Sequence, residues 1–185
     1  AKYGKIDFNK GLIRYASDRF LEIELVTNTV TGLKVPLSSI VTKEFYIIPS
    51  KYATTNADSQ ETGFMVQSDG KNNTFVTSTI YAQEEQSGSK DDGETSYLYY
   101  VDKKDFKEGD VIISQKDQSK FVVSDIGVLE GVYCINQGYA VFRRIEILDQ
   151  NEEYAIVSKA TSYGLSRYDH IVRNADNVNE EDILY

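Results

Sequence analysis

Apolar and polar positions alternate along most of this chain with the two-residue period of β-strands. In RFLEIELV (19–26), Leu21, Ile23 and Leu25 share one face while Glu22 and Glu24 take the other, so a half-buried strand is expected. KIDFNKGLIRY (5–15) is two short runs about Asn9-Lys10-Gly11, and Gly11 can take the positive φ of a three-residue hairpin loop. LKVPLSSIV (33–41) continues as a strand, which Pro36 confines to an edge, a strand start or a bulge. EFYIIPSKY (44–52) is a further apolar run, ended by Pro49, and the polar ATTNADSQETG (53–63) reads as a long loop. FMVQS, a turn at Asp69-Gly70 and NTFVTSTIYAQ follow, and a polar segment, 83–96, separates them from SYLYYVD (96–102). DVIIS, KFVVS, GVYCINQGYAVFRRIEIL (131–148) and EYAIVSKA (153–160) complete the series, with a second hairpin at Asn136-Gln137-Gly138. No amphipathic helix longer than about two turns is found. The pattern predicts an all-β chain.

The order of elements repeats approximately. GFMVQSDG-KNNTFVTSTIYA through YLYYVDKKDFKEGDVII (63–113) has the order of GVYCINQGYAVFRRIEIL through EYAIVSKATSYGLSRYDHIV (131–172). Each opens on Gly and an apolar strand, turns into a longer strand, returns through a Tyr-containing strand, and closes on Asp followed by β-branched residues. DFKEGDVII (105–113) laid on GLSRYDHIV (164–172) pairs Phe106 with Leu165, Asp110 with Asp169, and Ile112–Ile113 with Ile171–Val172. An internal duplication of a small β unit is the expectation.

Composition narrows the class. The 185 residues are 41% hydrophobic with only two prolines, enough for one sizeable core or two small ones and unlike a disordered chain. No apolar run reaches the ~18 residues that would span a bilayer, and AKYGKIDFN is not a signal peptide. The start at Ala1 without a Met suggests a cut or processed chain, with any anchor or leader outside it. One cysteine, Cys134, rules out an internal disulfide and leaves the compartment open. The net charge of −9 is concentrated in two places. Segment 83–96 holds Glu84, Glu85, Asp91, Asp92 and Glu94 against Lys90, and the tail 174–185 holds Asp176, Glu180, Glu181 and Asp182 with no base. Both read as solvated charge. With no basic stripe to neutralise phosphates, a nucleic-acid partner is not expected.

Candidate chemistry is sparse. Cys134 and His170 are the only thiol–imidazole candidates, yet alternation sets Cys134 on a strand face with Val132, and His170 aligns with Val111 of the other copy. One His and one Cys cannot form a structural zinc site, and neither Asp91-Asp92-Gly93-Glu94 nor the 176–182 acids has the spacing of a calcium loop. Phosphate loops and nucleophile elbows are missing from the sequence. An enzyme is therefore not expected, and no catalytic, cofactor-binding or metal-binding residue is assigned. Gly109, Asp110, Gly164 and Asp169 are assigned to turns, the aspartates accepting backbone N–H groups at strand entry. Tyr97, Tyr99 and Tyr100 are candidates for an exposed aromatic row that binds carbohydrate or peptide. Strand edges beside Pro36 and Pro49 are candidate docking edges.

Several of these stretches resemble one family. LKVPLSSIV (33–41) resembles the V-P-x-x-A-V strand end that closes the β-barrel domain of HlyD-type periplasmic adaptor, or membrane-fusion, proteins. The series GVYCIN, FRRIEIL and GLSRYDHIV (131–172) is similar to their membrane-proximal segment, with Tyr168 where the pattern has Gly and Gly109 keeping it in the other copy. GLIRYASDRFLEIEL, GLKVPLSSIVTKEFYIIP and YGLSRYDHIV are together similar to HlyD-like proteins of clostridial-type Gram-positive bacteria. The resemblance implies a small β-barrel over 1–125, with a loop-rich insertion at 53–96, and a membrane-proximal-like β unit over 126–185. It implies no catalytic residue and no cofactor. The module would act as an extracytoplasmic scaffold in a secretion or efflux complex, touching a membrane transporter and other adaptor subunits and reaching the membrane through an N-terminal anchor.

Overall fold

The computed structural model describes residues 20, 30–68, 73–86 and 96–184. The hairpin expected at 5–15, the strand at 19–26, the Asp69-Gly70 turn and most of the acidic segment lie outside the described residues. Within them the chain is all-β, as the alternation predicts. Thirteen strands are described: β1 Leu33–Pro36, β2 Ile40–Pro49, β3 Ala53–Thr55, β4 Thr62–Gln67, β5 Asn73–Thr77, β6 Ile80–Glu85, β7 Tyr97–Asp102, β8 Val111–Ile113, β9 Lys120–Val122, β10 Ile126–Asn136, β11 Tyr139–Arg144, β12 Ile147–Gln150 and β13 Tyr154–Val157. Pro36 and Pro49 each end a strand and lead into one 3-10 turn, Leu37–Ser39 and Ser50–Tyr52, because proline fixes φ and offers no ladder N–H.

Two long strands form the axis. β2 and β10 run antiparallel from Tyr46↔Ile126 to Ile40↔Val132, inside a sheet of order β11-β10-β2-β7-β6. That sheet curls until β11 and β6 approach each other, giving a nearly closed barrel. Its interior is aromatic: Phe45 lies 4.9 Å from Tyr81 and 5.4 Å from Phe142 between ring centroids, with Tyr100, Leu129, Tyr133 and Ala140 completing the cluster. Gly131 faces inward on β10, where a Cβ would stand 2.3 Å from the Phe142 ring, so only glycine admits that ring.

The outer faces are covered twice, which explains why EFYIIP is continuously apolar rather than alternating. Phe45 and Ile47 point into the barrel, whereas Tyr46 and Ile48 point out with Val101 under a half-barrel of order β3-β4-β8-β9, with β5 on β4. On β10, Val132 and Cys134 point out under a third sheet, β1-β13-β12. Three small cores result.

Several expectations need correction. Segment 53–63 is not all loop, since Ala53–Thr55 pairs with Thr62–Phe64 as the first rungs of the half-barrel. Gln83–Glu85 belongs to β6 rather than to a solvated loop. The chain enters β10 at the expected division at 125/126, and β10 pairs with β2 over seven residues. The hairpin at 136–138 forms as a two-residue loop with Gln137 at φ +50° and Gly138 at φ +86°, the primed turn that suits twisted strands.

The two aligned segments share local geometry but not a common placement. Val66 bridges Ile112 and Cys134 bridges Ile171, the same pair in the alignment. Asp110 accepts the Lys107 N–H at 2.8 Å and Asp169 accepts the Ser166 N–H at 2.8 Å. Gly109 and Tyr168 both take positive φ, +90° and +76°. Between these points the segments diverge: β6 and β7 enter the barrel through β2, whereas β12 and β13 form a separate sheet with β1. The duplication is not established at the level of whole units.

Candidate functional site

The most distinctive cluster lies in the barrel, where the C-terminal tail meets β2, β6 and β7. On β2, Val41, Lys43, Phe45 and Ile47 share the inward parity, so a lysine is delivered to an apolar interior. β7 ends on Asp102, opposite Phe45 and only 5% exposed. β6 carries a register shift between Ile80 and Ala82, and Tyr81 sits in that irregularity. Glu180 comes from the tail.

These four side chains satisfy one another. Lys43 Nζ donates to Asp102 Oδ2 at 2.6 Å and to Glu180 Oε2. Its ammonium is 5.2 Å from the Tyr81 ring centroid and 5.3 Å from that of Phe45, a range in which aromatic faces attract a cation. Tyr81 donates its hydroxyl proton to Glu180 Oε1 at 2.7 Å, and the second oxygen of Asp102 accepts the Lys104 N–H at 3.0 Å. Burial pulls the Lys43 ammonium toward deprotonation, but its hydrogen bonds to Asp102 and Glu180 outweigh that and raise its pKa. Asp102 behaves in the mirror sense: burial pushes it up, while the Lys104 N–H and Lys43 hold it below the ordinary carboxylate value. The Tyr81 phenol is pushed up by burial and by its bond to Glu180.

A cleft of about 330 Å³ adjoins this cluster, between the start of β6, β11 and the tail. Ser78, Lys104, Asp105, Arg143, Tyr163 and Glu181 are among its walls. The Ser78 hydroxyl donates to Asp105 Oδ2 at 2.6 Å, yet burial still raises the Asp105 carboxyl above its ordinary value. Lys104 pairs with Glu181, so the cleft is rimmed by charges of both signs.

The tail is therefore not solvated decoration. The Ser38 hydroxyl donates to Arg173 O at 2.7 Å, the Ala175 N–H donates to Ser38 O, and Ala175 is buried in the barrel cluster. Glu180 and Glu181 find lysines because the barrel offers them at that end. Sequence reasoning counted the tail charges without asking what faced them. The available signal was the inward parity of Lys43 in VTKEFYI and of Asp102 in YLYYVD.

The residues singled out from sequence are scattered. Cys134 is buried on the outer face of β10, and burial, aided by Asp169, pushes its thiol up to about 12. His170 is exposed, and its backbone carbonyl accepts the Ile135 N–H at 2.8 Å. Tyr100 is buried and donates to Glu84 at 2.9 Å, and Tyr99 is half-buried against the half-barrel core, so these rings form no exposed row. Gly164 bridges Arg144, with its N–H on Thr161 O. Pro36 lies in β1, an edge strand, whereas Pro49 ends β2, a central strand, opposite Leu98. Among the described residues no group of three His, Cys, Asp or Glu side chains converges as a metal requires, and no helix is long and apolar enough to cross a membrane. No family model, curated protein or solved structure matches this chain.

Proposed function

We propose that the chain is a non-catalytic adaptor or scaffold module of a membrane-associated secretion or efflux complex, HlyD-like in kind, working outside the cytoplasm through protein–protein contacts. The observation that carries the reading is the outer face of β10. Ile126 and Val128 are 47% and 60% exposed there, beside Tyr46 under the half-barrel and short of Val132 under the third sheet. Paired aliphatic residues left open between two covered positions are a natural seat for a partner. The resemblance of LKVPLSSIV and GLSRYDHIV to adaptor motifs supplies the class of partner, a membrane transporter or another adaptor subunit. The cluster about Lys43 supports the non-catalytic part, because its donors and acceptors are engaged with one another.

A photoreactive residue placed at Val128, with one at the exposed Lys159 as control, tests this in the membranes of the protein's own cells. Adducts to a transporter or to a second adaptor subunit from position 128 alone are expected. Equal adducts from both positions would refute the docking face.

A further inference from the structure

The tail holds its place on β11 through backbone hydrogen bonds and charge, with Ala175, Val178 and Leu184 packed on the barrel cluster. Ala140 makes two backbone hydrogen bonds to the tail, donating its N–H to Asp182 O at 2.9 Å and accepting the Glu181 N–H at 2.8 Å. Leu184 N–H reaches Gly138 O at 2.7 Å, and Ile183 bridges Tyr139. Charge does the rest, Glu180 on Lys43 and Glu181 on Lys104. Of the tail's apolar side chains, Ala175 is buried, Val178 and Leu184 are half-buried, and Ile183 is 61% exposed. Glu181 also sits at φ +69°, a left-handed conformation that disfavours an L residue. An element held at a sheet edge by a few backbone hydrogen bonds and ion pairs, with built-in strain, belongs to the low-stability end of a fold.

Lifting it would uncover a strand edge. Gly138 O and both polar groups of the Ala140 backbone would lose their partners, a template on which an extended segment can pair. Lys43 would keep Asp102 but lose its second carboxylate. The replacement must therefore bring a carboxylate to Lys43 and, four residues later, an apolar side chain to the place of Leu184.

We propose that residues 174–184 are an exchangeable strap and that the β11 edge beneath it docks an acidic peptide with a Glu-x-x-x-Leu spacing that turns at its glutamate as residues 179–182 do. This deepens the adaptor reading by naming an edge and a partner chemistry, and rests on it for why the edge would be used.

The test uses the purified full chain and a fluorescent peptide, NADNVNEEDILY, which copies residues 174–185. In wild type, the Ala140, Glu181 and Leu184 amides should exchange about 100-fold faster than those of the β2–β10 ladder, as a separate opening unit. Glu180→Gln should speed them about tenfold more, leave the ladder unchanged, and raise peptide affinity about tenfold, since its own strap competes less. A peptide with Gln in place of that glutamate should bind about tenfold more weakly. Lys104→Gln, on the exposed side, gives the same direction of change if Glu180→Gln does not fold. Exchange of strap and ladder at one common rate would overturn the strap, and so would absence of peptide binding in both variants. Neither failure would alter adducts formed at Val128, so the two proposals fail separately.

Discussion

Lys43 shows how a single inward parity decides a region. A lysine at the position between Val41 and Phe45 cannot stay buried alone, because an unpaired charge in an apolar interior costs several kcal/mol. Asp102 and Glu180 answer it, and the tail is bound into the barrel as a result. Asp102→Asn should lower stability by roughly 1–3 kcal/mol in denaturant unfolding at neutral pH, since Lys43 keeps Glu180. The pH dependence separates Asp102 from its neighbour. Its folded pKa lies below the ordinary 3.8, so its stabilisation is present above that value and is lost as pH falls through the folded pKa. Asp105 has the opposite sign: its folded pKa lies above 3.8, so it favours the fold while protonated and that contribution is lost as pH rises. Thermal melts from pH 2 to 7 should therefore show Asp102→Asn weakening the gain in stability with rising pH and Asp105→Asn steepening it. Movement in the same direction for both would contradict the electrostatic account. On the alkaline side Lys43 and Tyr81 are both raised, so their stabilisation is complete below 10.5 and 10.0 respectively and lost as pH climbs beyond. Tyr168 is a residue of another kind. It stands 84% exposed at positive φ where the matching turn uses Gly109, so Tyr168→Gly should stabilise by about 1 kcal/mol in equilibrium unfolding.

Strands and turns were the legible level. Alternation placed most of the described strands, and Gln137-Gly138 announced the β10–β11 hairpin by its residue types. β3 was missed because Ala53-Thr54-Thr55 has no apolar alternation, and its pairing with β4 comes from the half-barrel rather than from its own sequence. The tail was missed for the same reason, since its hydrogen bonds run to β11 and its charges answer residues far away in the chain. Among turns, the Asp110 and Asp169 assignments rested on local chemistry, and the two hydrogen bonds of 2.8 Å have the geometry expected of it. Gly131 was legible only as an opening residue of a motif. Its physical task is to admit Phe142, so Gly131→Ala should cost about 1–3 kcal/mol by overpacking, measured as a shift of the denaturant midpoint. An unchanged midpoint would mean that the ring has room to move.

At the scale of the molecule, three small cores share one central sheet, and β2 and β10 each serve two of them. Neither could be read as a half-buried strand with one wet face. Among the described residues, Ile126 and Val128 stay exposed on the stretch of β10 between the two flanking sheets. Val128→Asp puts a charge there without touching any of the three cores, so folding should be unaffected within about 0.5 kcal/mol while docking is lost. The most direct measurement is a crosslinking pull-down of the protein from the membranes of its own cells, wild type beside Val128→Asp, with partners identified by mass spectrometry. The account predicts a transporter or a ladder of crosslinked copies with wild type, reduced about tenfold or more by the aspartate. Recovery of wall polymer or of no protein with wild type, or the same partners with both chains, would contradict it.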